Sequence, residues 1–398
     1  MTRIYAETLT PSSEAEAAQI VLEARASGRK LDIVGGGTRA GLGRPPRADT
    51  AISTEKMSGV AFYEPAEMVI SAQAGTPVSQ IEAIIAQRGQ MLPFEPMDHR
   101  SLYGGQGEPT IGGLVAANIS GPRRISAGAA RDALIGLRLI NGRGEIIKNG
   151  GRVMKNVTGL DLVKLTCGAQ GTLGLVTQAT FRLLPRPERA ASIVIRRLDD
   201  KRAIEALSLA LGSPFGISGA AHISAGMGRE FPRTFLRIEG FADSVDYRIA
   251  ALLSLLAPFG AKHALEADDS DRIWRDIRDA AFLADPLERA VWRISLAPSK
   301  AADFVARAGA HALAHFYDWG GGLVWLSSEP SAGAAAAIRA ALAPSGGHAT
   351  LVRAPDELRE TIDVFEPLSA PLARITKGVK ASFDPDGIFN AGRLYAGI

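Results

Sequence analysis

A chain of 398 residues exceeds one typical domain, and its make-up, 46% hydrophobic and 22% charged, is that of an ordinary soluble globular protein. The formal net charge of +3 is small and Lys and Arg are scattered, which excludes a nucleic-acid footprint; the single cysteine, Cys167, excludes an intramolecular disulfide, an iron–sulfur cluster and a zinc–thiolate site. No apolar run reaches the ~18 residues of a membrane span. Residues 1–9 lack the apolar core of a secretory signal, so the chain reads as cytoplasmic, with any membrane contact peripheral, at the inner face, or made through a partner.

Ser13-x-x-Glu16 is a capping box that predicts a helix to about Ser27, stopped by Gly28. Residues 31–34 are a short apolar strand running into Gly35, Gly36 and Gly37. Residues 68–74 are another strand. Thr76 and Pro77 then supply an N-cap and a first-turn proline for a helix carrying Ile81, Ile84 and Ile85 and ending at Gly89. Thr110 to Asn118 is a run of small residues that reads as a loop entering a tightly packed helix. Residues 134–140 and 145–148 flank Asn141-Gly142, a hairpin signal. Gly159, Gly168, Gly171 and Gly174 punctuate the approach to a strand at 175–183.

Pro185-Arg186-Pro187 breaks the pattern and marks a domain boundary. Beyond it come strand 192–196, helix 203–211, strands 219–224 and 234–239, and helix 245–256. A linking helix around 273–282 follows. The second set is strand 291–296, helix 301–308, strands 314–317 and 322–326, helix 334–342 and strand 348–352. Each set approximates β-α-β-β-α-β, so two ferredoxin-like halves sharing one sheet are expected.

Gly35-Gly36-Gly37-Thr38-Arg39-Ala40 satisfies G-x-G-x-x-A, yet Gly41-Leu42-Gly43-Arg44-Pro45-Pro46 cannot make the helix that a dinucleotide-binding βαβ unit requires. Two readings stay open. Three glycines without side chains let consecutive N–H groups converge on phosphate oxygens, or they make a plain turn. Arg123, Arg124 and Arg131 can neutralise phosphates or an acid substrate, or be solvated. The six histidines form no H-E-x-x-H set; His311 and His315 read as cap-domain or surface residues and no metal site is expected. Neither G-x-S-x-G nor a P-loop is present.

Four motifs in order then carry a resemblance: residues 34–38, residues 110–118, Asn156-Val157-Thr158-Gly159-Leu160-Asp161-Leu162 continuing to Gly171-Thr172-Leu173-Gly174, and Phe383-Asp384-Pro385…Asn390-Ala391-Gly392-Arg393. Together they resemble the FAD-binding domain of the p-cresol methylhydroxylase and vanillyl-alcohol oxidase superfamily, with Ala391 where that family usually has proline. Gln90-Met91-Leu92-Pro93…Glu95-Pro96, residues 119–124, Val153-Met154-Lys155-Asn156-Val157, residues 291–296, Asp318-Trp319-Gly320-Gly321, residues 346–350 and residues 367–372 are similar to the FAD subunits of bacterial glycolate oxidases, across both domains.

The resemblance implies an α+β fold: an FAD-binding domain of p-cresol methylhydroxylase type with two subdomains (residues 1–187), an α+β cap (188–355) and a tail returning to the first domain (356–398). It implies non-covalent FAD, with the pyrophosphate on Val34, Gly35, Gly36, Gly37, Thr38 and Arg39 and on Thr110, Ile111, Gly112 and Gly113. Adenine-side contacts fall to the backbone near Gly174 and Val176, Gly171 joins the cofactor set, and Asn390 lies near the isoalloxazine. Pro93, Glu95, Asn118, Gly121, Arg124, Asp132 and Arg393 complete the implied cofactor set. Tethered relatives often carry a histidine in the first glycine loop, where Thr38 and Arg39 stand here. The histidine-rich segment of the catalytic 2-hydroxy-acid dehydrogenases is missing. The implied protein is therefore an FAD subunit beside a catalytic flavoprotein and an iron–sulfur subunit, oxidising glycolate or D-lactate to the 2-oxo acid with a non-NAD acceptor. His348 as base and Arg293 as carboxylate partner are the catalytic candidates. A self-sufficient FAD-dependent 2-hydroxy-acid oxidoreductase and a structural subunit with a vestigial flavin fold are the alternatives.

Overall fold

The computed structural model describes residues 5–151, 159–227, 230–261, 263–265 and 267–398. The chain divides into two compact units, one of Met1–Ser120, Gly128–Arg186 and Pro367–Ile398, the other of Gly121–Ala127 and Pro187–Glu366.

The first unit holds a parallel sheet, an antiparallel sheet and a short antiparallel pair of Gln90–Met91 with Leu184–Pro185. A parallel sheet has the order Glu7–Leu9, Thr50–Ser53, Leu31–Val34. Beside it the helix Glu14–Ser27 starts where Ser13 accepts the Glu16 amide (3.2 Å) and stops at left-handed Gly28. The capping box is half realised, because the Glu16 carboxylate turns to Ser12 instead. An antiparallel sheet has the order Val60–Glu64, Val69–Gln73, Leu175–Arg182, Leu134–Ile140, Ile146–Gly150. Ile81 and Ile85 from the helix Val78–Ala86 pack with Leu114 and Val115 from the helix Ile111–Ala117 and with Leu137 and Leu139 of this sheet. Full burial of each such side chain contributes roughly 1.5–3 kcal/mol.

The expected hairpin at Asn141 forms, closing through residues 141–145 with Ile140 opposite Ile146 and left-handed Gly144, as the Asn141 carboxamide gathers the amides of Arg143 and Glu145. One local expectation is corrected. Pro77, not Thr76, is the N-cap of its helix; the Thr76 hydroxyl is taken up by the Gly59 amide at 2.9 Å.

The second unit is built on one eight-stranded antiparallel sheet. Its order is His263–Leu265, Arg189–Arg196, Arg233–Gly240, Ile217–Ile223, Ala314–Asp318, Leu323–Ser328, Ala290–Ser295, His348–Arg353. In chain order each half is β-α-β-β-α-β, as expected, and the halves join where His222 pairs with Tyr317 and Ile223 with Phe316. The helices Asp200–Leu211, Ala242–Leu255, Ala301–Ala308 and Ala332–Leu342 cover one sheet face through Ile193, Leu236, Trp292, Leu326 and Leu351. Strand alternation sends Arg237, Glu239, Arg293 and Trp325 to the other face. Among the described residues no helix is long and apolar enough to cross a membrane.

Candidate functional site

The strand Leu31–Val34 delivers the chain into a loop whose first two glycines leave no room for a side chain. A Cβ on Gly35 would lie 2.4 Å from Thr110 Oγ1, and one on Gly36 only 1.7 Å from the Glu108 carbonyl. A Cβ on Gly107 would lie 1.7 Å from the Gly36 carbonyl. The first glycine loop therefore touches residues 107–108 main chain to main chain, and meets Thr110 through its hydroxyl. Gly37, with φ 72°, faces open space. The amides of Gly35, Gly36, Gly37, Thr38 and Arg39 donate to no protein acceptor among the described residues. Such a row of unpaired N–H groups has the donors to form a cradle for an anion.

Arg39 closes the cradle. Its Nη2 donates to the Met97 carbonyl (3.2 Å), Nη1 stands 3.3 Å from where a Gly113 Cβ would be, and Nε is buried without a partner. Burial pushes this guanidinium down to about 10, against the opposing pull of Asp98 and Tyr103.

The second segment shapes the cradle without donating to it. The amides of Ile111, Gly112 and Gly113 go to Thr76 O, Ala74 O and Thr110 Oγ1. Gly112 is needed because a Cβ would meet Ala74 at 2.8 Å. Asn118 ends this helix in left-handed backbone, and its Oδ1 accepts the Arg131 amide at 3.1 Å. Asp132 accepts the Ala129 amide at 2.8 Å. Pro93 is buried and Glu95 is left-handed (φ 46°) in the loop after Gln90–Met91.

The C-terminal motif clamps the same loop. Asp384 accepts the amides of Ile388 (2.9 Å) and Phe389 (2.8 Å) and the ammonium of Lys380 (2.6 Å). This turn presents Asn390, whose Oδ1 accepts the Ile33 amide (2.8 Å) and whose Nδ2 donates to Gln170 O (2.6 Å). Gly171 makes room for it, a Cβ there falling 2.6 Å from Asn390 Nδ2. Arg393 donates to Asp32 (3.2 Å) and to the Arg39 carbonyl (3.3 Å). Gly174 and Val176 serve the sheet: Gly174 abuts Ile140 O, and Val176 pairs with Leu139 and points into the core. Residues 152–158, which carry the Val153 to Thr158 part of the motif, lie outside the described residues. Cys167 caps the short helix Leu162–Thr166, and burial pushes its thiol up to about 12.

In the second unit the Gly121 carbonyl accepts Trp319 Nε1 at 3.1 Å. Two guanidinium groups flank that indole, Arg124 at 4.7 Å and Arg293 at 5.0 Å from its centre. Arg293 is half-buried and makes no hydrogen bond among the described residues. Burial and the repulsion of Arg124 lower it to about 10, with Asp318 opposing. His348 opens the last strand, exposed, opposite Ser295 while Arg293 sits opposite Thr350. Period-two alternation puts the two on one sheet face.

One cluster escaped the sequence reading. Asp200 accepts from Tyr317 Oη (2.7 Å), His315 Nε2 (2.8 Å) and Ser224 Oγ (3.1 Å), and His222 Nε2 lies 3.3 Å away. His315 is thus half-buried within the second unit, while His311 is exposed. Burial alone would raise Asp200, but the two histidines and Tyr317 hold its carboxyl far below the usual range. No spacing rule joins residues so distant in sequence; only strand register brings them together. Among the described residues no group of three His, Cys, Asp or Glu suits a metal ion.

Residues 6–150 match the family described as FAD binding domain. The chain is 35% identical over 367 residues to "Glycolate oxidase subunit GlcE" of Escherichia coli (strain K12), covering 92% of this chain and 93% of that one. It is 30% identical over 169 residues to a D-lactate dehydrogenase of Anaerostipes hadrus, covering 42% of this chain and 33% of that one. It is 29% identical over 150 residues to glycolate oxidase subunit GlcD of Bacillus subtilis (strain 168), covering 38% and 30%. Among solved structures, an alkyldihydroxyacetonephosphate synthase superposes with TM-score 0.71 at 15% identity, over 96% of this chain and 76% of that one. The 4-ethylphenol oxidase from Gulosibacter chungangensis superposes with TM-score 0.71 at 15% identity, over 98% and 88%. These two likenesses speak to the fold alone, and it is the expected α+β flavin-oxidase fold.

Proposed function

This chain belongs to the FAD-linked oxidoreductase family that contains glycolate oxidase subunit GlcE, and from that premise we propose that it is the FAD-binding subunit of a heteromeric oxidase converting glycolate, or D-lactate, to the 2-oxo acid. The observation that carries the reading is the row of unpaired amides at Gly35–Arg39. Glycines whose Cβ atoms would collide, and the partnerless Nε of Arg39, fit a dinucleotide diphosphate. Charge-assisted bonds of that kind contribute roughly 1.5–3 kcal/mol each.

Bound FAD supplies a two-electron acceptor for alcohol oxidation. The chain's own residues do the rest. The amides of residues 35–39 hold the diphosphate, and Arg39 sets positive charge beside it. Thr110, Gly112 and Gly113 keep the facing wall bare. Asn390 and Arg393 hold the loop's shape from the tail. Arg293, open and positively charged against Trp319, binds the substrate carboxylate. His348 is exposed, and among the described residues no hydrogen bond orients it. That supports a chemical step shared with a catalytic flavoprotein subunit, with an iron–sulfur subunit taking electrons onward to a non-NAD acceptor, in the cytoplasm or at the inner membrane face. The open Arg293 favours the self-sufficient alternative as second reading.

The purified chain is expected to be yellow, to release all its flavin on acid precipitation, and to gain activity with its partner subunits. A colourless chain that takes up no added FAD sinks the cofactor reading. Activity alone equal to that of the complex replaces the accessory role with the self-sufficient one.

A further inference from the structure

At one end of the second unit's sheet, three arginines meet around one aromatic ring. Arg196 ends the strand Arg189–Arg196 and Arg233 opens Arg233–Gly240, directly opposite it. Like charges in that register repel. Arg197 should point to the other face, but its left-handed backbone (φ 65°), tied by its amide to Pro232 O at 3.0 Å, swings it inward. The three guanidinium carbons lie 5.8, 4.9 and 5.3 Å from the Phe231 ring centre.

Among the described residues none of the three forms an ion pair or a hydrogen bond through its guanidinium, and Arg233 Nε is buried without a partner. Arg237 on the same strand is answered by Glu239 at 3.4 Å. Arg196 and Arg197 are exposed, while Arg233 and Phe231 are half-buried, so a ligand can reach the cluster.

We propose that Arg196, Arg197 and Arg233, gathered on Phe231, form a binding site for a phosphoryl group. Three guanidinium forks outnumber the two oxygens of a carboxylate, whereas a phosphate offers at least three acceptor oxygens. The ring supplies a scaffold attractive to cations and an apolar surface beside the anion. A phospholipid headgroup and free phosphate present the same chemistry. The cluster belongs to the second unit, and the proposal does not rest on the cofactor reading.

The test uses the full chain and its R196Q/R197Q variant, both exposed positions, with circular dichroism and flavin content as controls of folding. Co-sedimentation is measured with vesicles of phosphatidylcholine alone and of equimolar phosphatidylcholine and phosphatidylglycerol. Calorimetry is run with inorganic phosphate at low salt. Binding to the anionic vesicles only, weakened about tenfold or more in the variant, identifies a lipid headgroup as the source. Phosphate binding lost in the variant, without vesicle binding, identifies free phosphate. Binding of neither probe, or equal binding by a folded variant, overturns the proposal.

Discussion

The two units treat polar groups in opposite ways. At residues 35–39 of the first unit, consecutive amides face no protein acceptor and the Nε of Arg39 is buried alone. In the second unit Asp200 accepts from Tyr317, His315 and Ser224, Thr234 bonds to His222 Nδ1, and His222 Nε2 lies 3.3 Å from Asp200 without the alignment of a hydrogen bond. The contrast recurs between two arginines of one sheet. Arg353 donates to the carbonyls of Leu283, Ala284, Pro286 and Arg289, whereas Arg293 donates to nothing among the described residues. An unsatisfied buried polar group costs about 1–3 kcal/mol. Donors left open in a cluster are therefore where a ligand can complete the structure, and mutually satisfied ones belong to the scaffold.

If that contrast holds, substitutions in the open sites should change binding and those in the closed cluster should change stability. The largest effect is expected from Gly36→Ala, which drives a methyl into the Glu108 carbonyl. FAD affinity by flavin fluorescence should fall by about a hundredfold or more, as overpacking and lost amide bonds combine. Gly37→Ala points into open space and should cost only the strain of its positive φ, about 1 kcal/mol. Equal effects from the two would discredit the cradle.

Next comes Arg293→Gln. In the reconstituted complex KM for glycolate should rise by roughly ten- to a hundredfold with flavin content unchanged. A fall in bound flavin instead would mean that Arg293 serves the fold.

Asp200→Asn should lower stability by about 2 kcal/mol in thermal unfolding while leaving FAD affinity intact. The pH dependence has a definite sign. Asp200 is depressed, so its contribution is present above the ordinary aspartate value of about 4 and is lost as pH falls below it. Glu239 behaves likewise. Burial would raise it, but Arg237 and Arg123 bring it from 4.5 to about 2, so its contribution is lost as pH falls through that interval. Acid unfolding of the Asp200→Asn protein should accordingly be less steep than that of the parent.

The smallest effect is expected from Cys167→Ser, within about 1 kcal/mol of the parent. Its thiol is pushed up to about 12 and is a poor nucleophile at neutral pH. Acid precipitation should release flavin equally from both proteins, and coloured pellets from the parent alone would show a tether through this sulfur.

Where bare backbone makes a close approach was legible in the chain, because glycine is itself the signal: where Gly35, Gly36 and Gly112 stand, a Cβ collides with neighbouring atoms. The repeated β-α-β-β-α-β order was legible too, since helical and strand periodicity are local. The strands Glu7–Leu9, Thr50–Ser53 and Val60–Glu64 were not, being short and set by their partners' hydrogen bonds rather than by pattern. The Ile111–Ala117 segment read as a phosphate holder, yet its first amides are satisfied by Thr76, Ala74 and Thr110, an allocation no spacing reveals.

Residue order alone dictated where backbone had to be bare and which segments had to alternate, because sterics and periodicity act over a few neighbours. Which donors stay unpaired was settled by folding, since each depends on an acceptor distant in the chain. So were the pairing of Arg293 with Trp319, the inward turn of Arg197 and the meeting of His222 with His315 on Asp200.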